Sequence, residues 1–396
     1  MKMRIDEIKN LSDLCTGCMA CVDACPKQCI QPVTRSDGFR YAEILDADCV
    51  YCGKCFAVCP IETHSKNTGE RHLYASYAQN DKTRNNGSSG GVFELLARHF
   101  LSQGYVVCGA AFDGTVLRHR IIHSVEELLP LLKSKYVQSD TTGIYREILF
   151  LLKNGRRLFF CGTPCQVSAL KNSVPENLQE RLVTADIICH GVPSQKTFDR
   201  YIGALEEKEN GKVRNFSFRV KNNKYRHAHG FSYCLEKDRK EKTIDGIYLQ
   251  SSYYTAFKKY LFFRESCYTC RYATLDRVSD ITLGDFWGIE KYPFPADSDK
   301  GVSMIITNTN VGKAAFEAVT SELVWREFPV EYGVESNYCL TKATKKPTKR
   351  DAIVKSLNAE GYEATAHAYF GCTAAEKLYT LLPPAIRNLR KKLRKR

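Results

Sequence analysis

Eight cysteines at fixed spacing are the first candidates for chemistry in this sequence. From Cys15 to Pro26 the chain reads C-x2-C-x2-C-x3-C-P, and the same pattern returns from Cys49 to Pro60. A doubled run of this kind is typical of bacterial two-cluster ferredoxins, in which the fourth cysteine of each run binds the other cluster. The predicted ligands are Cys15, Cys18, Cys21 and Cys59 for one 4Fe–4S cluster, and Cys49, Cys52, Cys55 and Cys25 for the second.

The alternatives for these cysteines are a zinc site and a disulfide framework. Zinc uses four ligands and C-x2-C pairs, whereas this sequence has triplets with a displaced fourth cysteine. Disulfides suit small secreted domains, and the first residues carry no apolar segment typical of a secretory signal. We therefore expect two 4Fe–4S clusters in a cytoplasmic protein. Cys29 lies outside the pattern and is expected to be a core thiol.

A second group of four cysteines follows later in the chain. Cys165 and Cys189 each come after an apolar segment that reads as a strand, and Cys267 and Cys270 form a C-x2-C pair. In parallel sheets, ligands gather at the carboxyl ends of the strands. Four thiolates suit a third 4Fe–4S cluster, while tetrahedral zinc and four unrelated buried cysteines remain open alternatives.

A glycine- and serine-rich segment is the candidate for phosphate binding. It reads Gly87, Ser88, Ser89, Gly90, Gly91 and directly precedes a segment with helical periodicity at 92–101. Backbone N–H groups at such a helix start, together with the positive end of the helix dipole, suit a phosphate. The alternative is a plain serine N-cap after a flexible loop.

The elements that must position these residues alternate between strands and helices. Apolar segments predict strands at 105–112, 117–122, 157–161 and 185–188, with helices at 125–132 and 143–153. This alternation predicts an α/β fold with a mixed, mainly parallel sheet, which follows an α+β ferredoxin domain. The predicted domains are 1–66 for the ferredoxin, 75–155 with the phosphate loop, 156–340 with the second cysteine group, and a helical, basic tail at 341–396.

The net charge of +14 is concentrated at one end of the chain. Seven basic residues and no acidic residue lie at 387–396, so half of the excess belongs to this tail. The remainder does not predict a nucleic-acid-binding protein. An apolar patch precedes the tail, so it could rest on an anionic membrane surface; a solvated terminus is the alternative. No run of 18 apolar residues predicts a transmembrane helix.

Six motifs occur in one order along the chain, and together they resemble a known family. The sequence resembles the coenzyme F-420 hydrogenase/dehydrogenase beta-subunit family over roughly residues 10–350, specifically its bacterial branch with an N-terminal two-cluster ferredoxin, often found in polysaccharide biosynthesis loci. The motifs are the segments 87–91 (GSSGG), 134–139 (SKYVQS), 162–166 (GTPCQ), 189–194 (CHGVPS), 267–270 (CYTC) and 279–287 (SDITLGDFW).

The resemblance implies a flavin, FAD in characterised relatives, next to an iron–sulfur cluster. It implies that residues 87–91 hold the flavin phosphate, with Lys135 and Tyr136 beside the flavin. It also implies that Cys165, Cys189, Cys267 and Cys270 bind the flavin-proximal 4Fe–4S cluster. Members move electrons between clusters, flavin and a hydride acceptor or donor such as coenzyme F-420.

We therefore expect an iron–sulfur flavoprotein oxidoreductase that works with a redox partner protein or a small-molecule hydride acceptor. The first alternative is a non-catalytic electron-transfer subunit that serves a partner enzyme, in a setting such as glycan biosynthesis. The second is a binding or regulatory module with a degenerate flavin site. No residue is assigned as catalytic. His190 or Asp285 could supply a proton, although a structural role is the alternative for each.

Overall fold

The computed structural model describes residues 3–62, 69–222, 227–295, 300–382 and 386. The basic segment 387–396, for which a membrane contact is predicted, lies outside the described residues. None of the described helices is long and apolar enough to span a membrane.

The N-terminal region is a small unit built around the two cysteine runs. Its helices are α1 (Leu11–Leu14), α2 (Ala20–Ala24) and α3 (Lys54–Ala57), and its strands are β1 (Ile30–Thr34) and β2 (Arg40–Ile44). The strands form an antiparallel pair. Left-handed backbone at Met19 (φ 58°) and Gly53 (φ 72°) turns each cysteine loop into its short helix.

Eight strands form the main sheet of the molecule. The remaining strands in chain order are β3 (His72–Ala78), β4 (Val106–Asp113), β5 (Val116–Ile122), β6 (Leu158–Gly162), β7 (Leu182–Ile187), β8 (Lys212–Asn222), β9 (His227–Lys237), β10 (Lys240–Ile247), β11 (Ile281–Asp285), β12 (Ser303–Thr307) and β13 (Leu323–Phe328). The order in the main sheet is β13-β3-β12-β11-β7-β6-β4-β5. The predicted mixed α/β class is confirmed.

Parallel pairing is confined to the centre of this sheet. Strands β4, β6, β7 and β11 run parallel, and the other four of the seven described strand pairs are antiparallel. A separate three-stranded antiparallel sheet has the order β10-β9-β8. Strand β8 is irregular, with a register shift between Phe218 and Val220. A bulge of this kind redirects the intervening side chain.

Helices cover the main sheet and its loops. They are α4 (Asp81–Asn86), α5 (Val92–Ser102), α6 (Ile144–Lys153), α7 (Pro164–Ser173), α8 (Gln195–Glu209), α9 (Ser252–Lys258), α10 (Asn310–Glu317), α11 (Val330–Ser336), α12 (Arg350–Ala359), α13 (Gly361–Tyr369) and α14 (Ala374–Leu381). The helix predicted at 125–132 is wrong. Two 3-10 turns stand there instead, because Pro130 removes a hydrogen-bond donor from the middle of the segment.

The N-terminal region packs directly on the parallel part of the main sheet. The Asp23 carboxylate accepts hydrogen bonds from the backbone N–H groups of Gly143 (2.7 Å) and Tyr145 (3.0 Å), at the start of α6. The Thr141 hydroxyl donates to the Cys18 carbonyl oxygen at 2.7 Å. Cys18 itself belongs to a buried core shared with β4, β6, α6 and α7. The first cysteine run therefore sits against the edge of the sheet where the loops after β6 and β7 emerge.

Candidate functional site

A cavity of about 520 Å³ lies at the carboxyl ends of the parallel strands. This volume falls within the range of small-molecule and cofactor pockets, about 300–1,000 Å³. The cavity gathers segments that are remote in the sequence. Its walls include the loop 87–91, the segment 131–139, the loops after β6 and β7, the residues Cys267 and Cys270, and the end of β11.

Parallel pairing brings Cys165 and Cys189 to the same edge. Strands β6 and β7 are neighbours, with Gly162 opposite Asp186, so the loops that follow them leave the sheet together. Thr163 caps helix α7 in a reciprocal arrangement with Gln166, which fixes the turn that carries Cys165. The Thr163 hydroxyl oxygen lies 3.1 Å from the Cys165 sulfur.

The four cysteines of the second group share one buried environment. Burial raises the pKa of Cys189, and the nearby thiols of Cys267, Cys165 and Cys270 raise it further. Burial likewise raises the pKa of Cys267 to about 12, with Cys270 as the next contributor. Such thiols ionise when a bound metal centre offsets the cost, because metal binding displaces their protons.

The four cysteines of the second group all line the cavity. Within the described ranges, no three His, Cys, Asp or Glu side chains are placed close enough together to hold a single metal ion. The 4Fe–4S cluster and the zinc site both stay predictions for this group.

The N-terminal cysteines group in the interleaved way that the doubled motif predicts. One small cavity is lined by Cys15, Cys18, Cys21 and Cys59, and a second one by Cys25, Cys49, Cys52 and Cys55. Cys29 also lines the second cavity, and its sulfur lies 3.4 Å from the Cys25 sulfur.

Two of the remaining cysteines lie beside the predicted ligands, Cys29 next to Cys25 and Cys161 in the wall of the cavity. Cys29 is buried, which confirms the predicted core thiol. Cys161, which matches no motif position, lines the cavity at the end of β6.

The first N-terminal cysteine group is adjacent to the second cysteine group. Cys165 and Cys270 pack against the same buried core that contains Cys18. Cys18 also contributes to the raised pKa of Cys165, after burial and after the Cys270 and Cys267 thiols. Clusters bound at these two cysteine groups would be direct neighbours in the structure.

The loop 87–91 is held close to the main sheet by its glycines. A side chain at Gly90 would place its Cβ 2.3 Å from the Ser76 carbonyl oxygen, so only glycine fits there. The Gly90 N–H donates to the Ser303 hydroxyl at 2.9 Å. Gly91 adopts left-handed backbone (φ 88°) as the N-cap of α5.

The plain serine cap is not what the structure shows. Helix α5 starts without a side-chain cap, and the Ser88 hydroxyl instead accepts the Ser134 N–H at 2.7 Å. Within the described part of the chain, the backbone N–H groups of Ser88, Ser89 and Gly91 have no hydrogen-bond partner. The three residues line the cavity, and backbone donors without a partner at such a place can be used by an anion.

Arg219 connects three of the predicted features, and the sequence reasoning missed it. Its guanidinium donates two hydrogen bonds to the Asp285 carboxylate, at 2.7 and 2.8 Å, and one to the Ser88 carbonyl oxygen at 2.7 Å. It also lies 3.3 Å from the Tyr136 hydroxyl. Arg219 is only 3% exposed because the irregular register of β8 turns it inward. No sequence pattern announces such a bulge.

Four lysines add further positive charge around the loop and the cavity. Burial lowers the pKa of Lys135 to about 7 and that of Lys258 to about 8. Burial and then the neighbouring Arg84 and Arg219 lower the pKa of Lys221 to about 7. Burial also lowers the pKa of Lys133. Of these four lysines, the sequence analysis named only Lys135. Lys133 lies two residues earlier in the same loop, and this proximity could have indicated a second cation beside the cavity.

An aromatic wall completes the cavity. Tyr136 stacks on Phe257 with ring centroids 4.0 Å apart. Trp287, at the end of the motif 279–287, stacks on His229 at 5.2 Å. The two predicted positions Lys135 and Tyr136 therefore both line the cavity, beside loop 87–91.

The two candidate proton donors are poorly suited to that role. Burial opposes ionisation of Asp285, but the Arg219 guanidinium prevails and holds the pKa of Asp285 below its usual value. Burial lowers the pKa of His190 to about 4, so its imidazole is neutral at physiological pH. Neither group holds an easily released proton near neutrality.

Comparison with known proteins matches the two halves of this arrangement. Residues 14–63 match the family model described as 4Fe-4S dicluster domain. Residues 155–330 match the model that describes the C terminus of the beta subunit of coenzyme F420 hydrogenase/dehydrogenase. The chain thus joins an iron–sulfur dicluster region to a region similar to part of an oxidoreductase family. No protein with a curated function matches the sequence.

The chain also has a partial structural similarity to one solved structure. A chain of the F420-reducing NiFe hydrogenase complex from Methanosarcina barkeri is 16% identical, with 77% of this chain and 92% of that chain covered. The TM-score is 0.42.

Proposed function

We propose that this chain is an iron–sulfur flavoprotein oxidoreductase. Electrons reach the two N-terminal clusters, pass through a third 4Fe–4S cluster and collect in pairs for transfer as hydride, or follow the reverse route. One observation carries the proposal. The four cysteines of the second group line the same cavity as loop 87–91 and the lysines Lys133 and Lys135. One-electron and two-electron chemistry therefore have neighbouring sites.

The proposed order of the electron route rests on burial and contact. The cysteines 49 and 52 are half-buried, and the adjacent Val50 and Tyr51 are 56% and 39% exposed. The second N-terminal cluster would therefore be the one that a partner protein approaches. Cys18 of the other cluster packs toward Cys165. Electrons would thus pass from the surface to the cavity in three steps.

The residues around loop 87–91 suit the phosphates of FAD. Backbone N–H groups that have no partner in the described part of the chain lie beside Lys133 and Lys135, while Arg219 fixes the loop through the Ser88 carbonyl. Burial lowers the pKa values of both lysines. The negative charge of a bound diphosphate would raise these pKa values and so favour the protonated, charged lysines. Bound FAD would supply the conversion between single electrons and hydride. The chain's part is to bind the phosphates, exclude water with its aromatic wall, and hold Asp285 ionised.

The proposed acceptor or donor is a small molecule of the coenzyme F-420 type, or another hydride carrier that enters beside Trp287. The competing proposal is an electron-transfer subunit that hands electrons to a partner enzyme, for example in glycan biosynthesis. The exposed Val50 and Tyr51 beside the second cluster support contact with a protein in both cases. Turnover by the isolated chain distinguishes them.

The experiment is stopped-flow reduction of the anaerobically purified chain by a one-electron donor. We expect reduction of the clusters first and of the flavin afterwards, with hydride transfer to added coenzyme F-420 recorded by its absorbance. In Cys165→Ala the flavin should be reduced far more slowly, while Cys161→Ala, at the end of strand β6 and four residues earlier, serves as the matched control. Equal flavin reduction in the two variants would contradict the route.

A further inference from the structure

Arg264 is a buried cation with no carboxylate partner among the residues that the structure describes. Its side chain is 1% exposed, among the most buried large side chains of the described residues. It makes no ion pair with any described residue, whereas the nearby Arg350 pairs with Glu265 and Asp351. A buried charge is costly unless another group compensates it.

The contacts of Arg264 point toward the first N-terminal cysteine group. Its Nε donates to the Cys15 carbonyl oxygen at 2.7 Å, and a terminal nitrogen lies 3.8 Å from the Cys15 sulfur. The same nitrogen donates to the Arg40 carbonyl oxygen at 2.8 Å. The other terminal nitrogen donates to the Gln138 side-chain oxygen at 3.2 Å. The carbonyl and amide oxygens among these acceptors are uncharged. The Cys15 sulfur becomes a charged thiolate when it binds the iron of a cluster.

The surroundings hold the guanidinium firmly in this place. It lies over the rings of Tyr41 and Phe39, at 4.3 and 5.1 Å from their centroids. A Cβ at Gly17 would come within 2.7 Å of the guanidinium, so glycine leaves the required room. Arg264 also precedes the 3-10 turn Glu265–Cys267, which carries a ligand of the proposed third cluster.

A 4Fe–4S cluster with four thiolate ligands is anionic, and one-electron reduction makes it more so. Arg264 interacts electrostatically with Cys18 on one side and with Cys267 on the other. A fixed cation in a desolvated position stabilises the more negative redox state, and net charge and hydrogen bonds to sulfur are known determinants of cluster potential.

We propose that Arg264 is a tuning residue that stabilises the reduced form of the cluster held by Cys15, Cys18, Cys21 and Cys59. This inference rests on the dicluster part of the proposed function and requires neither the flavin nor the third cluster. The anionic cluster, in turn, compensates the buried guanidinium. The reaction concerned is uptake of one electron from a one-electron donor, with no bond made or broken.

The test is a redox titration of the full chain followed by electron paramagnetic resonance. The relevant signal is the one lost in Cys21→Ser. Arg264→Gln should make reduction of this cluster at least tenfold less favourable, a shift of 59 mV or more to lower potential for one electron. Arg264→Lys, which keeps the charge, should shift it by less than tenfold. Arg350→Gln is the control for loss of a buried but paired arginine and should leave the potential unchanged.

Each outcome decides the inference. An unchanged potential in Arg264→Gln, or an equal shift in Arg264→Lys, would overturn it. If Arg264→Gln loses the four irons of this cluster and Arg264→Lys retains them, the charge is required and the inference stands. If both variants lose the cluster, contact geometry rather than charge is responsible and the inference fails. Absence of the cluster from the unmodified chain would instead contradict the proposed function.

Discussion

The N-terminal cysteine region and the cavity region build their sites in opposite ways. In the first, eight predicted ligands lie within 45 consecutive residues, and short loops with left-handed residues such as Met19 and Gly53 present them. In the second, the walls come from loops spread over more than 250 residues of sequence. The difference shows that local spacing specifies a cluster site well, whereas a cofactor cavity depends on the whole sheet.

The largest expected effect tests whether the two regions assemble independently. Cys165→Ala should lose about four of about twelve irons, because a third cluster would lose one ligand while the two N-terminal clusters keep theirs. Iron and sulfide analysis after anaerobic purification measures this. Cys161→Ala, at the end of strand β6, should keep all the iron. Loss of most of the iron from Cys165→Ala would show that the regions do not assemble separately.

A second prediction concerns the ion pair that organises the cavity. Arg219→Met should destabilise the fold by up to about 3–5 kcal/mol, because it leaves Asp285 as a half-buried, uncompensated charge. It should also abolish flavin binding. Thermal and denaturant unfolding measure the first effect, and flavin content measures the second.

Controls for this prediction lie on the same strand and at the partner residue. Arg214 on β8 forms an exposed pair with Glu236, so Arg214→Gln should leave stability unchanged. The double variant Arg219→Met with Asp285→Leu should recover part of the lost stability. A double variant as unstable as the sum of the single ones would show that the two side chains are not coupled.

A third prediction is a pH dependence of flavin binding that only the cavity region should show. Lys135 and Lys221 have pKa values near 7 in the free protein because burial disfavours their charge. A bound phosphate favours the charged form and raises these pKa values. Affinity should therefore be constant below about pH 6 and fall as the pH rises from about 7 toward the pKa of the bound state.

Calorimetry in buffers of different ionisation enthalpy measures the accompanying proton uptake. At pH 8 we expect net proton uptake on FAD binding, and a smaller uptake in Lys135→Met. In the protein without flavin, the lowered pKa values of these lysines make the folded state more stable as the pH rises. The free energy of unfolding should rise between about pH 7 and the pKa of an unfolded lysine near 10.4, because the unfolded chain binds protons that the folded chain does not. Binding without proton uptake would contradict this assignment.

The smallest expected effect concerns a single hydroxyl group. Tyr136→Phe removes the contact with Arg219 but keeps the ring that stacks on Phe257. The loss should be about 0.5–1.5 kcal/mol in flavin binding, equivalent to an affinity about two- to twelvefold weaker. Fluorescence titration measures it. A loss as large as that of Arg219→Met would mean that the hydroxyl contacts the flavin directly.

Parts of this molecule follow from sequence for clear physical reasons. The eight N-terminal cysteines and the strands from β4 to β7 depend on local spacing and on buried apolar runs, which are visible one segment at a time. Strand β3 was not predicted, although it pairs with both β12 and β13 in the main sheet. Its place in the sheet is set by partners more than 200 residues away in the chain.

For the cavity, the sequence predicted the residues that belong to short motifs but not the residues that long-range packing brings to its walls. The glycines of loop 87–91 and the four later cysteines could be singled out from their types and their order. Arg219 could not, because its inward direction depends on the irregular register of β8 against β9. The same holds for the packing of Arg264 between the two cysteine groups, which requires the N-terminal region to be docked on the sheet.

Counting cofactors after anaerobic purification tests the central claim most directly. The account predicts about twelve irons, about twelve sulfides and one flavin per chain, since each of three cubane clusters holds four irons. It also predicts that the flavin is FAD. About eight irons and no flavin would contradict it, and would leave a two-cluster ferredoxin joined to a region whose cavity serves another purpose.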